Sequence, residues 1–176
     1  MDSHHGLLTP EVLHRSEARE LLASYEAILK ELRKRQVIRT NDAPSGQYAE
    51  WLACSVLGGV LEPNATKSYD LITPDGVCLQ IKARVLRPPT NAGQRQLSVF
   101  RSFDFDQALI ILFDNEYQVH SATLMPQHLV FEHSRQRAHV NGRVLIATDA
   151  VLKQGSDITS KFREGVDQMP SVVPID

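Results

Sequence analysis

The sequence predicts an α/β protein, a mixed β-sheet flanked by helices with a long helix ahead of it. Three observations carry this. Residues 69–73, the turn cluster Pro74-Asp75-Gly76 and the alternating segment 77–85 read as strand, tight turn, strand. The continuous apolar run 108–113 has the pattern of a strand buried on both faces. Segments with helical spacing lie before and after these strands, as expected of helices packed on a sheet.

The first element is expected over 10–36. Thr9 suits the N-cap, Pro10 the first helical position, and Glu11 the positive end of the dipole. Leu13, Leu21, Leu22, Tyr25, Ile28, Leu29 and Leu32 recur near helical spacing. Lys30, Arg33, Lys34 and Arg35 close the helix, where cations suit the dipole. Such a helix serves either as an arm or dimer element or as one more cover for the core. It divides the chain into an N-terminal arm over 1–40 and a single domain over 41–176. The turn cluster 41–46 then leads to a helix over 47–57, with Ser45 as cap, Gly58-Gly59 as stop, and Tyr48, Leu52, Ser55 and Val56 as one stripe. A short strand is expected at 60–62, before Pro63. After the hairpin come a loop at 87–95, a strand at 97–101, the buried strand at 108–113 and a turn at 114–116. A strand at 117–124, a helix at 126–133, a short hairpin at 139–146 and a weak helix at 157–165 complete the chain.

Composition excludes several classes. The chain has 176 residues, 42% hydrophobic and 23% charged, enough for one domain with a real core plus an appendage. Two cysteines, Cys54 and Cys78, make no disulfide framework and no CxxC pair. The first residues have neither a basic region nor a long apolar run, so no secretory signal is expected. No apolar stretch is long enough to span a membrane. These features read as a soluble cytoplasmic protein. His128 and His133 are five apart, the wrong spacing for two ligands on one helix face. No GxxxxGK[ST] or GxGxxG occurs.

The chemistry gathers at the hairpin. A turn centred on Asp75 pairs residues whose numbers sum to about 150, so Asp70 falls opposite Gln80 and Ser68 opposite Lys82. Lys82 lies two residues beyond Gln80 on the same strand face. A carboxylate, an amide and an ammonium thus share one patch. Carboxylate and amide oxygens are hard ligands suited to Mg²⁺. Such an ion acidifies a bound water and neutralises charge developing on a phosphate, and a neighbouring lysine can orient the water or stabilise the transition state. The same alternation also describes a solvent-facing strand surface.

Asp70, Gln80-Ile81-Lys82 and the preceding helix with Glu50 resemble the PD-(D/E)XK nuclease superfamily over about residues 45–125. The resemblance implies a restriction-endonuclease-like core, a four-stranded mixed sheet flanked by helices. In it the aspartate opens the second core strand, acid-x-lysine lies on the third, and the first helix often bears a glutamate. Asp70 then matches the metal-binding aspartate, Lys82 the catalytic lysine and Glu50 the helix glutamate. The main-chain carbonyl of Ile81 is implied as a further ligand, beside Gln80. The ion implied is Mg²⁺ or Mn²⁺, the activity hydrolysis of DNA phosphodiester bonds, and the setting restriction or defence. Two positions depart from the pattern: Tyr69 stands where a proline is usual, and Gln80 where a second acid is. The Gln-x-Lys form also occurs in Mrr-like restriction endonucleases. Losing one negative charge weakens a metal site, so a non-catalytic binding module on the same fold is the alternative. Cutting both strands with one site per chain favours a homodimer, with the 10–36 helix as the contact.

The net charge of −2 seems unsuited to nucleic acid, but it conceals a pattern. Between Val77 and Phe103 there is no acid, whereas Lys82, Arg84, Arg87, Arg95 and Arg101 are all basic. From Asp104 to Glu132 the balance inverts, with no lysine or arginine. Arg84 continues the polar face beyond Lys82 and can meet a phosphate bidentately. Gln47, one turn before Glu50, can position a ligand or phosphate. The stretch reads as a phosphate-facing stripe or as a solvated face.

Overall fold

Pro74, Asp75 and Gly76 fold the chain back on itself. Gly76 takes φ +84°, and Thr73 closes the turn by exchanging main-chain bonds with Val77 and Gly76 and accepting the Val77 N–H on its hydroxyl. The turn joins strands β2 (Leu71–Ile72) and β3 (Cys78–Val85), preceded by β1 (Val60–Leu61). Leu71 pairs with Leu79 and Ile72 with Cys78, the register expected from the turn. The structure, a computed structural model, describes residues 9–16, 18–39, 44–63 and 68–168. Part of the 41–46 turn cluster and Asn64 lie outside them.

Strands β4 (Gln107–Phe113), β5 (Val119–Pro126) and β8 (Ser156–Asp157) complete a six-stranded mixed sheet in the order β1-β2-β3-β4-β5-β8. Only β3 and β4 run parallel, so a crossover must join them. That crossover, residues 86–106, contains no helix; Leu86, Leu97, Phe100 and Phe105 anchor it in the core. β4 is buried at every position from Ala108 to Phe113, as a strand covered on both faces must be.

The sheet separates two apolar layers. On one face, Leu79, Ile81, Val85, Leu109, Ile111 and Phe113 pack with Ala49, Leu52 and Ala53 of helix α3 (Ser45–Leu57) and Phe162 of helix α6 (Thr159–Asp167). On the other, Ala108, Ile110 and Leu112 pack with the crossover, with Val130 of helix α4 (Gln127–His133), and with Leu145 and Ala147. A small hairpin, β6 (Arg135–Arg137) and β7 (Gly142–Val144), and the short helix α5 (Asp149–Leu152) lie between α4 and β8.

The chain divides into two units, one over residues 1–42 with the last two, the other over 43–174. In the first, the single helix expected over 10–36 is two helices, α1 (Pro10–Arg15) and α2 (Ala18–Lys34). Thr9 caps α1 as expected. Ser16 ends it: its backbone is extended and its hydroxyl donates to the Val12 carbonyl at 2.9 Å. Leu22, Tyr25 and Ile28 of α2 remain exposed.

Other expectations shift. Ser45 is the first residue of α3 rather than its cap, and Pro44 before it supplies no side-chain bond. The buried stripe of α3 is Ala49, Leu52 and Ala53, whereas Ser55 is exposed and donates back to the Trp51 carbonyl. The strand expected at 97–101 is reduced to isolated bridges, Gln96 with Ile146 and Phe100 with Arg143, because the crossover meets the 143–147 segment only intermittently. The late hairpin pairs 135–137 with 142–144 rather than lying wholly in 139–146.

Candidate active site

Asp70 sits immediately before β2, opposite Gln80. Its main-chain N–H donates to the Leu79 carbonyl at 2.8 Å, extending the ladder by one residue. Its carboxylate reaches across to β3: Oδ2 accepts the Ile81 N–H at 2.6 Å and the Gln80 side-chain amide. The expected neighbour of Lys82 behaves differently, since the Ser68 hydroxyl donates to Asp104 at 3.2 Å.

Alternation along β3 places Gln80, Lys82 and Arg84 on one face, registered against Ala108, Ile110 and Leu112 of β4. That face carries the second apolar layer, and this sets the character of Lys82. Its Nζ lies 5.2 Å from the centroid of the Phe100 ring, a cation–π distance. Burial pushes its ammonium below the usual lysine range. The carboxylates of Asp70 and Glu50 oppose that shift, and the Arg101 guanidinium reinforces it. All four charges therefore act at one place. Asp70, Gln80, Glu50 and Gln47 are half-buried, while Arg101 is exposed. Glu50 follows the fully buried Ala49 on α3, so the packing of that helix on the sheet fixes its place.

The remaining basic residues separate. Arg84 donates through Nε to the Gln96 carbonyl at 2.6 Å. Arg87 is exposed, on a loop held by Gln94, whose side chain accepts the Arg87 N–H at 2.6 Å and donates to the Arg87 carbonyl at 2.8 Å. Both arginines line a cavity of about 350 Å³ with Ser45 and Tyr117. Arg95 is committed elsewhere: its guanidinium holds Asp149 at 2.8 Å and the Ala147 carbonyl at 3.0 Å.

No protein-family model matches the chain, and no curated protein matches it. The site must be read from its own chemistry.

Among the described residues, no three His, Cys, Asp or Glu side chains stand together as a metal-binding group. A cation at Asp70 would have to draw on Glu50, the Gln80 amide oxygen and a main-chain carbonyl such as that of Ile81. These are all hard oxygen donors, and their chemistry fits Mg²⁺ or Mn²⁺. Gln80 presents its nitrogen to Asp70, so it would need to turn its amide over to act as a ligand. Sequence reasoning missed Phe100, the aromatic wall against Lys82. It lies on the crossover with no local signal of its destination. Among the described residues no helix is long and apolar enough to cross a membrane.

Proposed function

We propose that this protein is a metal-dependent DNA endonuclease with a restriction-endonuclease-like core, acting in restriction or defence. The observation that carries the reading is the meeting of Asp70, Gln80 and Lys82 on one hairpin, with Lys82 desolvated and within the fields of Asp70 and Glu50. The order of elements supports it: a helix with Glu50, then Asp70 at the start of the second strand, then Gln80-Ile81-Lys82 on the third.

In this reading Asp70, the Ile81 carbonyl, Glu50 and Gln80 hold Mg²⁺ or Mn²⁺. The ion supplies an acidified water and charge neutralisation at the phosphate. As an ammonium, Lys82 has three donors and no acceptor, so it orients the attacking water's oxygen or binds a phosphoryl oxygen. Its poor hydration strengthens that interaction as charge develops on the phosphate. Arg101 adds positive charge on the solvent side. Cutting a duplex calls for two sites, and a homodimer through the exposed residues of α2 would supply them.

DNA incubated with the purified protein and Mg²⁺ or Mn²⁺ is expected to be nicked or cut. Lys82→Ala and Asp70→Ala should each lower the rate by at least about 100-fold. Cutting by either variant at the rate of the parent protein would sink the proposal.

One observation favours a second reading. Gln80 donates to the very carboxylate oxygen that faces β3, an arrangement that also satisfies Asp70 without a cation. A non-catalytic module that binds nucleic acid or protein would keep this bond. It would retain DNA on a column and leave it intact at every metal concentration.

A further inference from the structure

A cavity of about 350 Å³ is lined by Arg84, Arg87, Ser45 and Tyr117. Arg84 and Val85, the last residues of β3, line it at the C-terminal end of the parallel pair β3 and β4, a location where ligands gather in α/β proteins. Two guanidiniums line it. Among the described residues, neither Arg84 nor Arg87 is paired with an acid, and the Arg84 Nε bond to Gln96 fixes the plane of its fork while its two Nη groups have no protein acceptor. The Arg87 loop is held in shape from within by the Gln94 amide, which bonds Arg87 on both its N–H and its carbonyl. Ser45, first residue of the 13-residue helix α3, also lines the cavity, so the positive end of the helix dipole adds to the field. Tyr117, which also lines the cavity, has φ +61° in the turn between β4 and β5, where its N–H donates to the Asp114 carbonyl.

We propose that this cavity is a phosphate subsite for the strand that the Asp70–Lys82 site cuts, taking a flanking phosphodiester on Arg84 and Arg87 with its sugar toward Tyr117. The inference rests on the nuclease reading and sharpens it. Arg84 and Lys82 share a strand face two residues apart, about 6.6 Å, on the order of one backbone step of a nucleic acid. A volume of about 350 Å³ suits one nucleotide unit rather than a groove-filling duplex. Guanidinium forks match phosphate bidentately, and they hold register without reading bases. The subsite therefore places the chain on the strand without selecting its sequence.

The test is binding of a short fluorescent DNA duplex to the full chain in chelator, where cutting does not intervene. Arg87→Ala should weaken binding about tenfold and reduce the slope of log affinity against log salt by about 0.9, one phosphate contact. Arg135→Ala removes the same charge from the exposed strand β6 and should change neither. Arg87→Ala and Arg135→Ala behaving alike would overturn the subsite while leaving the cleavage result untouched. Reduced binding by Arg87→Ala in a protein that never cuts DNA would uphold the subsite and defeat the nuclease reading. Thymidine monophosphate displacing the duplex as well as unlabelled duplex does, per phosphate, would also overturn it, making the cavity a free-nucleotide site.

Discussion

Lys82 shows how one residue is set by its surroundings. The apolar layer around Phe100 strips water from its ammonium, and two carboxylates return part of that loss. Burial wins, so its pKa lies below that of an unfolded lysine, about 10.4. Between those two values the native state binds fewer protons than the unfolded chain. Stability therefore rises with pH across that window, and the cost of burying the charge is fully present below it. Two outcomes follow. Lys82→Met, which keeps the apolar stem and removes the charge, should unfold at a higher denaturant midpoint than the parent at neutral pH while losing any cutting. Asp70→Asn, which removes the largest opposing charge, should push the Lys82 titration lower still, as followed by NMR of the lysine side chains. Lys82 titrating together with the surface lysines would contradict the account. The residues of this site were legible to different degrees. Asp70, Gln80 and Lys82 could be placed together because a two-strand turn fixes register locally. Phe100 could not, because its contact with Lys82 depends on how a 21-residue crossover travels.

Elements followed the same rule. The hairpin, β4 and α4 were readable because their periodicity and breakers are local. β8 has two residues and no pattern of its own; it exists because β5 offers it an edge. The strand expected at 97–101 dissolved into bridges for the opposite reason, since its apolar residues are used for burial rather than for a ladder. The N-terminal helix parted at Ser16, a residue that competes for backbone hydrogen bonds and offered a cap within a periodic segment. The last helix was a weak signal in sequence, yet α6 completes the layer that holds α3 against the sheet. Its Phe162 is fully buried among α3 and sheet residues. Phe162→Ala should cost about 3–5 kcal/mol, read as a lower denaturant midpoint. A shift below about 1 kcal/mol would mean that α6 is peripheral to the core.

At the scale of the whole molecule, charge is segregated rather than abundant. In a chain of net charge −2, residues 77–103 hold Lys82, Arg84, Arg87, Arg95 and Arg101 and no acid, and Arg95 is spent on Asp149 from outside that stretch. Under the proposed function, DNA would meet this stretch from one side. In the proposed cleavage, the reacting phosphate would need a counter-charge beyond what Lys82 and Arg101 supply, because Asp70 and Glu50 are negative themselves. The account therefore depends on a divalent cation at Asp70. The most direct measurement is anomalous scattering from crystals soaked in millimolar Mn²⁺. A peak touching Asp70 and the Ile81 carbonyl, with the Gln80 amide turned away from its bond to Asp70, is the predicted result. No peak at that position, with the Gln80 nitrogen still on the carboxylate, would contradict it.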